Sequence, residues 1–168
     1  ERGIKVVGIE PSCILSFRDE YKDLLANDPR ANLLSQATML IEEFFSHAVD
    51  EGSRFNSVSG PGRVLFQGHC HQKALVGTSV AMDVLNSIDG CFPEEIDSGC
   101  CGMAGSFGYE KEHFNISMQI GENGLFGPLR SLDNEVQIVS EGVSCRQQIK
   151  DGTGKPSKHL VQLLADLI

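Results

Sequence analysis

Apolar and polar positions along this chain follow two rhythms, one of period two and one near 3.6. Ile4-Lys5-Val6-Val7-Gly8-Ile9 is a β-branched run bounded by turn residues, and it predicts a short buried strand. From Asn27 to Asp50 the rhythm is helical. Asp28-Pro29 supplies an N-cap and a first-turn proline, and Leu33, Leu34, Ala37, Leu40, Ile41, Phe44 and Phe45 recur on one face. Residues 53–62 are polar and rich in Gly and Ser, which predicts a loop. A second unit starts at the strand Arg63-Val64-Leu65-Phe66-Gln67. A helix is expected from Gln72 to Asn86, with Ala74, Leu75, Val80, Ala81, Val84 and Leu85 inward. Glu94-Glu95-Ile96-Asp97 is a weaker strand. Phe114 to Leu125 reads as a helix, Val136-Gln137-Ile138-Val139 as a strand and His159 to Ile168 as a closing amphipathic helix.

Strands that alternate with helices predict an α/β fold, a mainly parallel sheet with flanking helices. In such sheets, sites form at the carboxyl ends of the strands. The cysteines obey that rule. Cys13 follows the first strand, Cys70 follows the strand ending at Gln67, Cys100 and Cys101 follow Ile96, and Cys145 follows Val139 after a short connection. Delivery of thiols to one sheet edge by four strand ends is a physical expectation independent of any family.

Composition narrows the chemistry. The chain has 168 residues, a net charge of −9 and six cysteines. An acidic balance disfavours nucleic acid, whose phosphates demand a basic footprint. No apolar run approaches the ~20 residues of a membrane span. The chain opens on a strand without an initiator Met or a leader, and it reads as a piece of a longer cytoplasmic protein. In a reducing cytosol, clustered cysteines signal metal or redox chemistry more often than disulfides. The neighbours Cys100 and Cys101 also suit bridging poorly, since a vicinal ring strains its peptide.

Thiolates bind zinc or the irons of iron–sulfur clusters. Roughly thirty residues separate Cys70 from Cys100, so the fold must close the site, not a local knuckle. Consecutive side chains in a strand point apart, and Gly99, Gly102, Gly105 and Gly108 give the loop the freedom to turn both thiols one way. The same glycines would also suit an anion-binding nest, a weaker reading. His69 and His71 flank Cys70. They are expected as surface or helix-capping residues, or as donors behind a metal's ligands. Cys91 is read as a small core or loop residue. Met103, Phe107, Tyr109, Phe114 and Met118 are read mostly as core. Thiol catalysis by Cys70 or by Cys100-Cys101 is a third reading, with the histidines lowering a thiol pKa.

Three strings carry a resemblance. Gly68-His69-Cys70-His71-Gln72-Lys73-Ala74, Asp97-Ser98-Gly99-Cys100-Cys101-Gly102 through Glu110, and Gly142-Val143-Ser144-Cys145-Arg146-Gln147-Gln148-Ile149 resemble the cysteine-rich CCG region at the C-terminus of FAD-linked oxidases. Those proteins are of the D-lactate or D-2-hydroxyglutarate dehydrogenase kind. The region is similar to the CCG-bearing polypeptides of heterodisulfide reductase, of glycolate oxidase (its iron–sulfur component) and of anaerobic glycerol-3-phosphate dehydrogenase. Glu10-Pro11-Ser12-Cys13 and Phe17-Arg18-Asp19-Glu20-Tyr21 fit the same region.

The resemblance implies that residues 1–55 close a first CCG repeat and residues 56–168 form a second. It implies an iron–sulfur electron-transfer module of a flavin-linked 2-hydroxy-acid oxidoreductase, not active alone, with Cys70, Cys100, Cys101 and Cys145 as ligands and Cys13 joining from the neighbouring repeat. FAD would sit elsewhere in the parent. The partners would be the parent's flavin and iron–sulfur domains and an electron acceptor, and the parent would lie in the cytoplasm or peripherally at the inner membrane. Two departures stand out. Glu10 replaces the leading Cys of the first CxxC, and Gln148 replaces the trailing Cys of the second. Four remaining thiolates suit a [4Fe–4S] cluster or zinc. A structural zinc module is therefore the alternative.

Overall fold

A computed structural model describes residues 3–50 and 60–167. The architecture is α/β, with two small sheets whose strand pairs are all parallel. The first sheet pairs β1 (Val6–Gly8) with β2 (Thr38–Leu40). Between them run α1 (Pro11–Ile14), α2 (Glu20–Leu24) and α3 (Pro29–Ala37), and α4 (Ile41–Asp50) follows β2. The Asp28 carboxylate accepts the Arg30 N–H and Pro29 opens α3, as the sequence predicts.

The helix expected from Asn27 to Asp50 is thus two helices broken by a strand. Helical periodicity runs through the break, but tertiary pairing overrides it, because Thr38-Met39-Leu40 lines up with Val6-Val7-Gly8 and is buried along its whole length. Leu33, placed on the inner face by that periodicity, is 51% exposed.

The second sheet has the order β4-β3-β5, with β3 (Gly62–Gln67) central between β4 (Cys91–Glu95) and β5 (Gln137–Ser140). Side chains of β3 alternate between two cores, as the pleat requires. Val64 and Phe66 join Val139, Ala81, Val84, Leu85, Leu160, Leu163 and Leu164 on one face. Leu65 joins Ile138, Leu125, Phe126, Leu129 and Ile149 on the other. The first face is covered by α6 (Ser79–Asn86) and α10 (Leu160–Ala165), with α5 (Cys70–Leu75) preceding α6. The second is covered by α7 (Phe114–Glu122), α8 (Phe126–Arg130) and α9 (Val143–Thr153).

Three sequence expectations shift. The helix expected from Gln72 to Asn86 is split where Gly77 takes a left-handed φ of 75°. The strand expected at Glu94–Asp97 begins earlier, so Cys91 lies in β4 and is buried in the first core. Tyr109 and Phe114 are exposed, not core. The loop expected at 53–62 falls largely outside the described residues. Among those described, no helix is long and apolar enough to cross a membrane.

Candidate metal centre

Each carboxyl end of the three-stranded sheet delivers a thiol. The polypeptide leaves β3 at Gln67, and His69 caps α5, so Cys70 is the first residue of that helix. The His69 Nδ1 accepts the His71 N–H at 3.1 Å, and the Gln72 side chain accepts the His69 N–H at 3.2 Å, a reciprocal capping box. The helix-capping expectation for His69 holds. His71 instead reaches toward Glu20, 3.8 Å away.

Beyond β4, Ile96 still pairs with the Phe66 carbonyl, and the chain then enters the glycine loop. Gly102 adopts φ 96° there, and its N–H donates to the Cys100 sulfur at 3.4 Å. A Cβ on Gly102 would overlap the Ser117 carbonyl. This close approach turns Cys101 into the second core while Cys100 stays at the surface of the cleft. Cys145 sits in the first turn of α9, a helix that the apolar pattern does not predict. It is 1% exposed and belongs to the same core as Cys101.

The four free thiols form a string in which Cys70 neighbours Cys100, Cys100 neighbours Cys101 and Cys101 neighbours Cys145. Charge distributes along it by alternation. Hydrogen bonds donated by Cys101 and Cys70 hold Cys100 far below the ordinary thiol range, at about 2, against the pull of burial. Cys145 is lowered by its bond from Cys101. Donation to Cys100 pushes Cys101 and Cys70 up, and burial adds to both. From Cys70 to Cys145 the thiol pKa is thus raised, lowered, raised and lowered in turn, so Cys100 and Cys145 are the members held toward the thiolate form that a soft metal needs.

The string borders a cleft of about 100 Å³ lined by Ser12, His69, Cys70, Cys100, Cys101, Ala104, Gly105 and Ser144. Cys13 is exposed on α1 and is not among the lining residues, although its neighbour Ser12 is. Cys91 lies in the opposite core, and burial alone raises its thiol to about 11. Burial likewise depresses the His69 imidazole. That keeps the ring neutral and its Nε2–H free to donate, since Nδ1 already accepts. Among the described residues no three thiols gather within 4.8 Å of one another; Asp19, Glu20 and His71 do, but that group is largely exposed.

Sequence reasoning missed a layer of buried polar residues behind the thiols. Glu42, Gln72, Glu141 and His159 are all at most 5% exposed. One signal was legible: Glu42 lies four residues after Thr38 and three before Phe45, within the apolar face of its helix.

No protein-family model matches the chain, and no solved structure matches it. Its relatives are dehydrogenases. Over 167 residues, 99% of the chain, it is 33% identical to D-2-hydroxyglutarate dehydrogenase of Pantoea ananatis and covers 16% of that protein. The D-2-hydroxyglutarate dehydrogenase of Escherichia coli is 32% identical over the same extent, again with 16% of its length covered. One subunit of the anaerobic glycerol-3-phosphate dehydrogenase of E. coli is 28% identical over 167 residues, and 41% of it is covered. The chain therefore spans less than half the length of each of these relatives.

Proposed function

We propose that this chain is the cysteine-bearing electron-transfer segment of a larger dehydrogenase, with an iron–sulfur cluster held by Cys70, Cys100, Cys101 and Cys145. The observation that carries the reading is the convergence of four thiols from three parallel strand ends, Cys70, Cys100 and Cys101 on one cleft and Cys145 in the same core as Cys101. Likeness to segments of two kinds of dehydrogenase supports the redox class.

Four thiol donors suit an iron–sulfur cluster or tetrahedral zinc, and likeness to segments of dehydrogenases favours the redox-active group. When bound, a cluster would supply one-electron storage between a flavin and an acceptor.

The chain's own residues do the rest. The Gly102 N–H donates to the Cys100 sulfur and the His69 ring lines the same cleft, which would stabilise a negatively charged centre. Met103, Leu125 and Phe126 bury the Cys101 side and exclude water. We assign residues 1–55 to the end of one CCG repeat and 56–168 to the next, and the FAD, the 2-hydroxy-acid site and the acceptor to the rest of a parent protein. Cys13 would join from outside the string. Serine replacement of Cys100 or Cys101 is expected to abolish iron and sulfide binding in anaerobically purified protein. Unchanged metal in both variants overturns the proposal.

A further inference from the structure

Gln67 and Lys73 stand three residues to either side of Cys70, and both bond to one residue beyond the neighbouring strand. The Lys73 ammonium donates to the Ser98 carbonyl at 2.6 Å, and the Ser98 hydroxyl donates to Gln67 Oε1. Gln67 Nε2 donates to the Gly68 carbonyl at 3.1 Å, which sets the amide with its oxygen toward Ser98. Gln67 is fully buried, so that oxygen is costly to leave without a donor. The Ser98 N–H bonds to the Ile96 carbonyl at 2.9 Å. The N–H, carbonyl and hydroxyl of Ser98 are thus all engaged.

Lys73 reaches Ser98 by lying across Gly68. A Cβ on Gly68 would stand 2.9 Å from Lys73 Cε and 2.5 Å from Thr78 Cγ2. Among the described residues Lys73 makes no ion pair, although Glu95 and Asp97 line the same cleft as its side chain. Its charge is directed at a backbone carbonyl two residues before Cys100.

The residue between that carbonyl and Cys100 is Gly99. It is exposed, and a Cβ on it would meet nothing within 4 Å. Packing does not hold this joint, and glycine leaves its backbone wide freedom. Cys100 is therefore fixed from its two flanks, by the anchored Ser98 before it and by the Gly102 N–H that donates to its sulfur after it. Cys70 and Cys100 line one cleft.

We propose that Gln67 and Lys73 clamp Ser98 and thereby set the spacing of Cys70 and Cys100, which makes these three the positioning residues of the thiol site. The clamp deepens the electron-transfer reading and rests on it for its purpose, because ligands serve a metal centre only when held to about 0.5 Å. The spacing itself is a property of the reduced, metal-free chain. Of the two bonds to Ser98, the one from the ammonium is charge-assisted and the stronger. Lys73 therefore dominates the clamp.

The spacing is read in the whole chain, reduced and metal-free, with the bis-alkylating reagent dibromobimane. Peptide mass mapping measures the Cys70–Cys100 cross-link against singly labelled Cys70. Lys73→Met keeps the stem and removes the donor. Its cross-link is expected to fall about tenfold, since a misplacement near 1 Å costs up to about a hundredfold in a reaction governed by proximity. Lys73→Arg is expected to stay within about threefold of native, because a guanidinium N–H donates to the same carbonyl. Ser98→Ala removes the bond to Gln67 and is expected to lower the cross-link several-fold. Labelling of Cys91, buried in the opposite core, reports general opening of the fold and is expected to stay within about twofold of native in all three variants.

A native level of cross-link in Lys73→Met and Ser98→Ala overturns the clamp. So does a loss matched by an equal quickening at Cys91, which a merely structural role would give, or a Lys73→Arg product as low as that of Lys73→Met. If Lys73→Met does not fold, Ser98→Ala against the native chain decides it. Iron and sulfide in the anaerobically purified native chain are measured in parallel. Their presence beside an unchanged cross-link rejects the clamp and leaves the electron-transfer reading standing. Their absence beside the expected cross-link pattern rejects that reading and leaves the clamp.

Discussion

The backbone N–H of Val143 donates to the Glu10 carboxylate at 2.8 Å, across 133 residues of sequence. Val143 opens the helix whose first turn carries Cys145. Glu10 therefore meets that helix as an anion at its N-terminus.

Glu10→Ala is expected to cost about 0.5–2 kcal/mol of stability, the range for a lost helix cap, while Glu10→Gln costs less because an amide oxygen still accepts. Denaturant unfolding at neutral pH measures both. Equal effects of the two variants would mean that charge alone, not acceptance of the Val143 N–H, matters here.

Gly142 is needed for space, not for backbone freedom. Its φ is −78°, which any residue adopts. A Cβ there would overlap the His69 ring and press on the Cys145 sulfur at 3.2 Å. Gly142→Ala is expected to destabilise by about 1–3 kcal/mol and to lower metal retention, because it forces apart the two elements that carry Cys70 and Cys145. Full retention of both stability and metal would show that the two elements can separate without consequence.

How much of this was legible in the sequence depends on the kind of signal. Strand ends followed by cysteines are local, and β3, β5, Cys70, Cys100, Cys101 and Cys145 stand where the pattern puts them. Pairing is not local: nothing between Asn27 and Asp50 announces that Thr38-Met39-Leu40 will leave the helix to join β1. Helix α9 was hidden because Arg146, Gln147, Gln148 and Lys150 mask its buried face of Cys145, Gln148 and Ile149. The alternation along the thiols and the Gln72–Glu42 hydrogen bond arise from burial and contact at long sequence separation, which no window of sequence contains.

Thiol reactivity in metal-free protein should follow the alternation. Iodoacetamide at about pH 6, below the ordinary thiol range near 8.5, is expected to label Cys100 first, since its neighbours hold it as a thiolate at the cleft. Cys91, buried and raised to about 11, is expected to be the slow control, and Cys91→Ala is expected to leave metal content unchanged. Mass mapping that places label on Cys70 ahead of Cys100 would reverse the assignment of charge along the string.

The central claim is that four thiols from three strand ends hold an iron–sulfur cluster. Iron, sulfide and zinc analysis of the anaerobically purified chain, with its visible spectrum, tests it most directly. Iron and sulfide are expected in matched amounts with a broad brown absorbance, lost together when Cys100 is replaced. Stoichiometric zinc in colourless protein would contradict the claim and make the string a structural zinc module.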